Sequence, residues 1–412
     1  MKFADYGIAD EIIKQLDLLE FKRPTDIQYK CISHILRGED VLAVAQTGTG
    51  KTAAFAIPII DILHEKKLNS RRPDGVKCIV LVPTHELAQQ ITAVFQEIGK
   101  HTKVKTVGIF GGVDQAPQIA QLEKWIDVVI ATPGRMFDLI SQGHFRTHRV
   151  EILVLDEADH MLDLGFINDI HDLRQKLPKR RQTLFFSATI NDHIKKLAYT
   201  IVNQQAVRIQ VSPKNPVAKN IEHAVAFIEM DDKRHFLERF IHENSESKML
   251  IFVRTKVRAE RVLKAMERVD IKALTIHGDK NQEDRTDVME KFRSGEEKIL
   301  IATDVSARGI DIPNVDFVIN YDLPEQPENY VHRVGRTGRG KNKGQAVSFC
   351  SEEEKSLLAE IEEYVGSEIA VADISQADYE TTILLSQDDE QDWRALLELG
   401  DEIDAKRKGK KK

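Results

Sequence analysis

The residues best suited to chemistry lie in two short stretches. The first is AQTGTGKT, Ala45 to Thr52, which directly follows the apolar run Val41 to Ala45 and opens a helical pattern. A glycine-rich turn in that place aims backbone N–H groups and the positive end of a helix at phosphates. Lys51 can then reach the outer phosphates, and Thr52 can ligate Mg2+. The strict G-x-x-x-x-G-K-[ST] pattern fails at its first position, where Ala45 stands. The second stretch supplies the acidic partner that such a loop needs, because the apolar run Ile152 to Leu155 leads straight into Asp156, Glu157, Ala158 and Asp159. Asp156 is placed to hold Mg2+ through water, and Glu157 to orient or deprotonate an attacking water. Alone, an acidic tetrad more often caps a helix start. Paired with a Lys-Thr phosphate loop, it favours ATP hydrolysis.

Elements that could position these groups recur along the chain. Short β-branched runs stand at Val41 to Ala45, Cys78 to Val82, Val128 to Ala131, Ile152 to Leu155 and Leu184 to Phe186. They read as buried parallel strands. Longer helical patterns separate them; in Glu86 to Gly99, for example, Leu87, Ile91, Val94, Phe95 and Ile98 share one helical face. SPKNPVAKN, Ser212 to Asn220, has two prolines and no apolar periodicity, so it reads as a linker. The alternation then restarts at Met249 to Val253, Ala273 to Ile276, Ile299 to Ala302, Phe317 to Asn320 and Ala346 to Cys350. This is α/β patterning in two domains, expected over 1–211 and 220–365 with a linker at 212–219 and a tail at 366–412. Strands are expected to stop at about Gly366. Beyond it, Trp393, Leu396, Leu397, Gly400 and Ile403 mark either a short amphipathic helix or a solvated tail.

Composition sets outer limits. At about 150 residues per domain, 412 residues make room for two to three domains. Cys31, Cys78 and Cys350 are widely spaced and form no CxxC pair, which speaks against a disulfide framework or a structural zinc site and for core packing in a reducing compartment. No apolar run approaches the roughly 18 residues of a membrane span, and MKFADYGIADEIIKQL lacks the features of a signal peptide, so the expectation is a cytoplasmic protein without a membrane partner. The net charge of -7 is mostly a property of the tail, since 1–365 holds 52 basic against 54 acidic residues. Twelve acidic residues and one basic residue lie from Gly366 to Ala405, followed by KRKGKKK with six basic ones. That tail could contact a protein or hold nucleic acid electrostatically, or simply solubilise the end.

Further motifs stand in order around the two stretches: FKRPTDIQ (Phe21 to Gln28), PTHELA (Pro83 to Ala88), Gly111-Gly112, TPGR (Thr132 to Arg135), DEAD (Asp156 to Asp159), SAT (Ser187 to Thr189), IFVRTK (Ile251 to Lys256), HGDKNQEDR (His277 to Arg285), ATDVSARGID (Ala302 to Asp311) and HRVGRTGR (His332 to Arg339). With them the chain resembles the DEAD-box ATP-dependent RNA helicases of superfamily 2, in the compact bacterial, RhlE-like form, over nearly all of 1–365. The resemblance implies two tandem RecA-like domains, each a parallel sheet flanked by helices, plus a short C-terminal tail. It implies that Gln28 reads the adenine edge of ATP beside Phe3 or Phe21, and that Gln46, Thr47, Gly48, Thr49, Gly50, Lys51 and Thr52 hold the phosphates. Asp311 would contact the ribose or bridge the domains, and Arg336 and Arg339 would act as arginine fingers, a role that planar, permanently charged donors suit.

The resemblance also implies an RNA track of Pro83, Thr84, Gly112, Thr132 and Arg135 in the first domain and Arg254, Thr255, Gly278, Gln282, Arg285 and Thr303 in the second. Small residues and backbone amides admit phosphates and 2'-hydroxyls without base readout, so sequence specificity should be low. Ser187 and Thr189 would link the nucleotide site to the RNA side, with ATP and single-stranded RNA closing the domains on one strand and opening a few base pairs. Two positions depart from the family pattern: Glu20 replaces the usual glycine before Phe21, and His85 replaces the usual arginine in PTHELA, giving up a permanent charge. A DNA-directed helicase of the same superfamily and a non-catalytic RNA-binding scaffold are the competing readings. Lys51→Ala is expected to abolish phosphate release from ATP; retained turnover would remove the phosphate-loop assignment.

Overall fold

A strand that is apolar on both faces can be buried only if helices cover both sides of its sheet. The computed structural model, which describes residues 1–46, 48–69, 75–211, 217, 220–280, 282–304, 315–338 and 343–384, builds that arrangement twice. One unit carries β1 (Val41–Ala45), β2 (Cys78–Leu81), β3 (Thr106–Ile109), β4 (Val128–Ala131), β5 (Ile152–Leu155), β6 (Gln182–Ser187) and β7 (Val207–Val211). The other carries β8 (Ile221–Phe227), β9 (Met249–Phe252), β10 (Leu274–Ile276), β11 (Ile299–Ala302), β12 (Phe317–Asn320), β13 (Gly344–Cys350) and β14 (Ala370–Val371). The strand orders are β3-β4-β2-β5-β6-β1-β7 and β10-β11-β9-β12-β13-β8-β14, all parallel, so the second sheet repeats the first strand for strand. These are the two parallel sheets flanked by helices that the α/β patterning predicts.

Alternation within a strand feeds two cores. In β5, Ile152 and Val154 join a cluster with Val41, Ala43, Val80, Ile130 and Phe186, while Leu153 and Leu155 join one on the opposite face with Leu42, Ile79, Val129 and Phe185. Helix Lys51–Asn69 and helix Asp26–Leu36 pack together over the first face, and Phe55 meets Phe186 with ring centroids 5.1 Å apart. In the second sheet, Met249, Ile251, Ile299, Ile301 and Ile319 form the corresponding core. The three cysteines are free and buried, and burial raises every thiol, Cys31 to about 12 and Cys350 to about 11, so they serve packing. Among the described residues no helix is long and apolar enough to cross a membrane.

The observed strands include four that the apolar runs do not mark. β3 is an edge strand with a glycine at its centre and Thr106 half-buried. β7, the opposite edge, alternates Val207, Ile209 and Val211 with polar residues. β8 has a mixed pattern, with Glu222 exposed and His223 half-buried. The fourth, β14, corrects the expectation that strands stop at Gly366, because Ala370 and Val371 pair with Ala224 and Val225 of β8. Residues 376–384 are helical, and their Tyr379 packs on Phe236 at 4.8 Å while its hydroxyl donates to Asp232 Oδ2 at 2.7 Å and accepts from the Glu229 N–H at 3.1 Å. Most of the expected linker and everything from 385 on, with the amphipathic pattern around Trp393 and the basic end, lie outside the described residues.

Because Tyr379 combines a ring contact with two hydrogen bonds, Tyr379→Ala should destabilise the protein by roughly 1–3 kcal/mol. Urea denaturation followed by circular dichroism checks this; an unchanged midpoint would show that the segment adds nothing to the second unit.

Candidate functional site

In a parallel sheet every strand ends on the same edge, and the chemistry collects in the loops leaving those ends. In the first unit β1 runs into Gln46, β5 into Asp156 and β6 ends on Ser187, three strands adjacent in the order β5-β6-β1. Helix Lys51–Asn69 begins at Lys51, so its first N–H groups face the turn that precedes it. Gly48 and Gly50 take positive φ of 78° and 91°, and Thr49 Oγ1 donates to the Gln46 carbonyl at 2.7 Å, closing the loop. Lys51 is buried, and among the described residues its Nζ has no hydrogen-bond partner. Asp156 is buried as well; desolvation pushes its carboxyl up to about 6, against the pull of the Lys51 ammonium. A buried ammonium with no partner among the described residues, beside a buried carboxylate, is an arrangement that a charged ligand could complete.

The donors beside it, a carboxylate and the Thr52 hydroxyl, are hard oxygens of the kind that Mg2+ takes along with substrate phosphates. Among the described residues no group of three or more His, Cys, Asp or Glu forms a metal cage, and Mg2+ needs none. Glu157 sits in the left-handed region, φ 51° and ψ 49°, and its Oε2 lies 3.5 Å from His160 Nδ1.

Gln28 is tied into the phosphate loop. Its Oε1 accepts from the Thr25 N–H at 2.9 Å, as part of the capping box that starts helix Asp26–Leu36, and its Nε2 donates to the Gly50 carbonyl at 3.2 Å. Thr25 Oγ1 adds a bond to the Thr49 carbonyl at 2.8 Å. A carboxamide offers two lone pairs and two N–H groups, so one of each remains for a ligand. Phe3 and Phe21 meet edge to face at 6.2 Å, Phe3 buried and Phe21 half-buried.

The last residue of the acidic tetrad bonds the turn after β6. Asp159 Oδ2 accepts from the Ala188 N–H at 3.2 Å, the Thr189 N–H at 3.1 Å and Thr189 Oγ1 at 3.1 Å. One carboxylate thus fixes the turn after β6 to the helix after β5. Ser187 is fully buried, and among the described residues its Oγ has no hydrogen-bond partner.

The residues expected on RNA leave the neighbouring strands. Pro83 and Thr84 follow β2, Gly112 follows β3, and Thr132 follows β4, three strands adjacent in the order β3-β4-β2. Thr84 caps helix His85–Ile98 by accepting from the Leu87 N–H at 3.3 Å. Thr132 is the cap residue of helix Pro133–Ser141, and Arg135 Nη2 donates to the Val113 carbonyl at 2.8 Å. The His85 ring stacks on Phe110 with centroids 3.9 Å apart and planes 25° from parallel, joining PTHELA to the residue before Gly111.

The second unit repeats this layout. Arg254 and Thr255 follow β9, Gly278 and Arg285 follow β10, and Thr303 follows β11, again three adjacent strands. Thr255 caps helix Lys256–Arg268 by accepting from the Arg258 N–H at 3.2 Å, just as Thr84 does after β2. Arg336 is buried, and its Nε donates to the His332 carbonyl at 3.2 Å. Its neighbour Arg333, not singled out from sequence, is buried in a fork with Asp304 at 2.5 and 2.8 Å and also bonds Asn320 Oδ1 and the Asp322 carbonyl. This pins Asp304, which follows Thr303, to helix Pro327–Val334. Thr47, Asp311, Arg339 and the side chain of Gln282 lie outside the described residues.

Comparison with known proteins agrees with this geometry. Residues 25–197 match the DEAD/DEAH box helicase family, and residues 232–341 match the helicase conserved C-terminal domain. The ATP-dependent RNA helicase DbpA of Bacillus subtilis is 39% identical over 367 residues, which cover 89% of this chain and 75% of that protein. The DEAD-box ATP-dependent RNA helicase CshA of Bacillus cereus is 40% identical over 362 residues, covering 87% of this chain and 67% of that protein. The structure of S. cerevisiae Dbp5 bound to RNA and ADP BeF3 aligns with a TM-score of 0.79 at 31% identity, over 94% of this chain and 99% of that one. The chain belongs to the DEAD-box family of ATP-dependent RNA helicases. The bacterial relatives named here are DbpA and CshA, so the expected RhlE-like subgroup finds no support in them.

A side chain at Gly50 would collide with this site. A Cβ there would stand 2.5 Å from Gln28 Nε2 and 3.2 Å from Thr25 Oγ1, on a backbone with φ +91°. Gly50→Ala therefore carries strain of about 1–3 kcal/mol and should weaken nucleotide binding by about tenfold or more. Titration with a fluorescent ATP analogue measures this; unchanged affinity would mean that the loop is free to rearrange.

Proposed function

We propose that this chain hydrolyses ATP at the carboxyl ends of β1, β5 and β6, and uses the cycle to separate short RNA duplexes or remodel RNA–protein complexes. The observation that carries this reading is the strand order. It gathers the phosphate loop, the acidic tetrad and SAT on β5-β6-β1, and the expected RNA residues on the adjoining β3-β4-β2 and on β10-β11-β9. In this reading Gln28 selects adenine, Lys51 and the loop amides hold the phosphates, and Glu157 orients the attacking water. Mg2+, bound by Asp156 and Thr52, supplies charge neutralisation on the phosphates. Arg336 and Arg339 stabilise the charge that develops there.

The RNA strand contacts the protein through its backbone. Thr84 and Thr255, each capping a helix start, set N–H groups where phosphates can be received, and Arg135, Arg254 and Arg285 add charge. Such contacts read shape and 2'-hydroxyls more than bases, so many sequences serve. Because the two sets are carried by separate units, binding one strand and one nucleotide through both makes the ligands themselves hold the units together. A strand bent in that grip no longer matches its complement, and a few base pairs open until hydrolysis and phosphate release loosen the hold. Asp159, bonded to Thr189, is the route by which the phosphate end reaches the SAT turn. The cytoplasm, where thiols stay reduced, is the compartment that three free buried cysteines fit.

The test is ATPase stimulation by a single-stranded RNA oligonucleotide and by DNA of equal sequence. Stimulation by RNA alone is expected; equal stimulation by DNA would favour a DNA-directed helicase, and no hydrolysis at all would favour a binding scaffold. In the same assay Arg336→Ala should lower kcat by about 10³-fold, whereas a twofold loss would leave that arginine a structural role.

A further inference from the structure

On the RNA side of the second unit, one buried carboxylate is shared between a structural lysine and a presented arginine. Arg254 leaves the end of β9, with its N–H donating to Asp322 Oδ2 at 3.0 Å. Its Nη2 donates to Glu354 Oε1 at 2.9 Å and to the Leu323 carbonyl at 3.3 Å, and its Nε lies 3.9 Å from Glu325 Oε1. These contacts hold the guanidinium by one side, and the side chain remains 34% exposed. An unrestrained arginine would lose several rotamers' worth of entropy on meeting a phosphate, and one already fixed loses less.

Glu354 is able to fix it because it is itself buried and bonded on both oxygens. Its side chain is 2% exposed, Oε1 also accepts from the Leu323 N–H at 3.1 Å, and Oε2 accepts from Lys233 Nζ at 2.5 Å and from the Ser351 N–H at 3.2 Å. Lys233 is wholly buried and donates further to the Tyr321 and Phe349 carbonyls at 2.8 and 3.1 Å. Pairing with Lys233 occupies one carboxylate oxygen; the other is turned toward the strand ends where Arg254 sits. Asp322 extends the network, its Oδ1 lying 3.3 Å from Arg258 Nη2.

We infer that Glu354 is a positioning residue for RNA binding, holding Arg254 in the orientation in which it meets an RNA phosphate. This rests on the proposed role of Arg254 as an RNA contact. The reaction chemistry does not pass through Glu354, so its loss should show in the RNA dependence of the ATPase and not in the rate at saturation.

In the full-length protein with a single-stranded RNA oligonucleotide, Glu354→Gln should raise the RNA concentration for half-maximal ATPase about tenfold and leave the saturated rate within about twofold. In an Arg254→Ala background the same change should add nothing, because the group it positions is gone. An equal further loss there, or an unchanged RNA dependence in the single variant, overturns the inference. Arg254→Ala alone separates the two levels: if it leaves the RNA dependence untouched, the reading of Arg254 as an RNA contact fails, whereas a loss there with none for Glu354→Gln sinks only the positioning role. Should Glu354→Gln unfold, the pair Lys233→Met with Glu354→Gln leaves no uncompensated buried charge. It is expected to melt near the parent and to show the same tenfold rise; a folded pair with parental RNA dependence would overturn the inference equally.

Discussion

Parallel pairing is the constraint from which the rest of this structure follows. Adjacent parallel strands cannot be joined by a tight turn; each connection must travel back across a face of the sheet, normally as a helix. Every strand therefore delivers its carboxyl end to one edge, and a helix that follows directly on a strand begins there, bringing unsatisfied N–H groups with it. With fourteen strands among the described residues, in two sheets of identical order, that edge is made twice. Glycine-rich turns, acidic groups and threonine caps gather on it because it is where backbone donors are available and side chains from distant segments meet.

Charge on this edge is handled in two ways. At the ends of β1 and β5, Lys51 Nζ is buried without a hydrogen-bond partner among the described residues, and buried Asp156 accepts from the Glu157 N–H, an arrangement that costs free energy unless an ionic ligand compensates it. In the second unit, burial draws Lys233 below the ordinary lysine range, yet Glu354 and two carbonyls satisfy it fully. Arg333 is likewise compensated by Asp304. The first pattern waits for a ligand, and the second fixes a framework. Asp159 belongs with the second kind although it stands inside the tetrad, since its Oδ2 is committed to three donors from the SAT turn.

Much of this was legible in the residues alone. β1, β4, β5, β11 and β12 coincide with the apolar runs because strands buried on both faces leave no polar interruption to blur their limits. Edge strands are harder to read: Gly108 interrupts β3, where the backbone passes so close to Thr92 that an added Cβ would come within 2.6 Å of its Oγ1, and two-residue β14 has no pattern to find. The phosphate loop and tetrad could be recognised because their donors are contiguous. The partners of Glu354 could not, since Lys233 lies 121 residues away and Arg254 100, and nothing in either local sequence announces the other. The stack of His85 on Phe110 was equally hidden, for the substitution is visible in PTHELA but its neighbour is not.

Glu157 carries a consequence of its own. Its left-handed backbone would suit glycine or asparagine, and a side chain with a Cβ there costs roughly 1–2 kcal/mol. A glycine would relax the chain and raise the melting temperature, yet it would remove the carboxylate proposed to orient the attacking water. On that proposal, turnover and thermal robustness pull against each other at a single position, and a search for more heat-tolerant variants would drift toward inactive protein unless that residue were held constant.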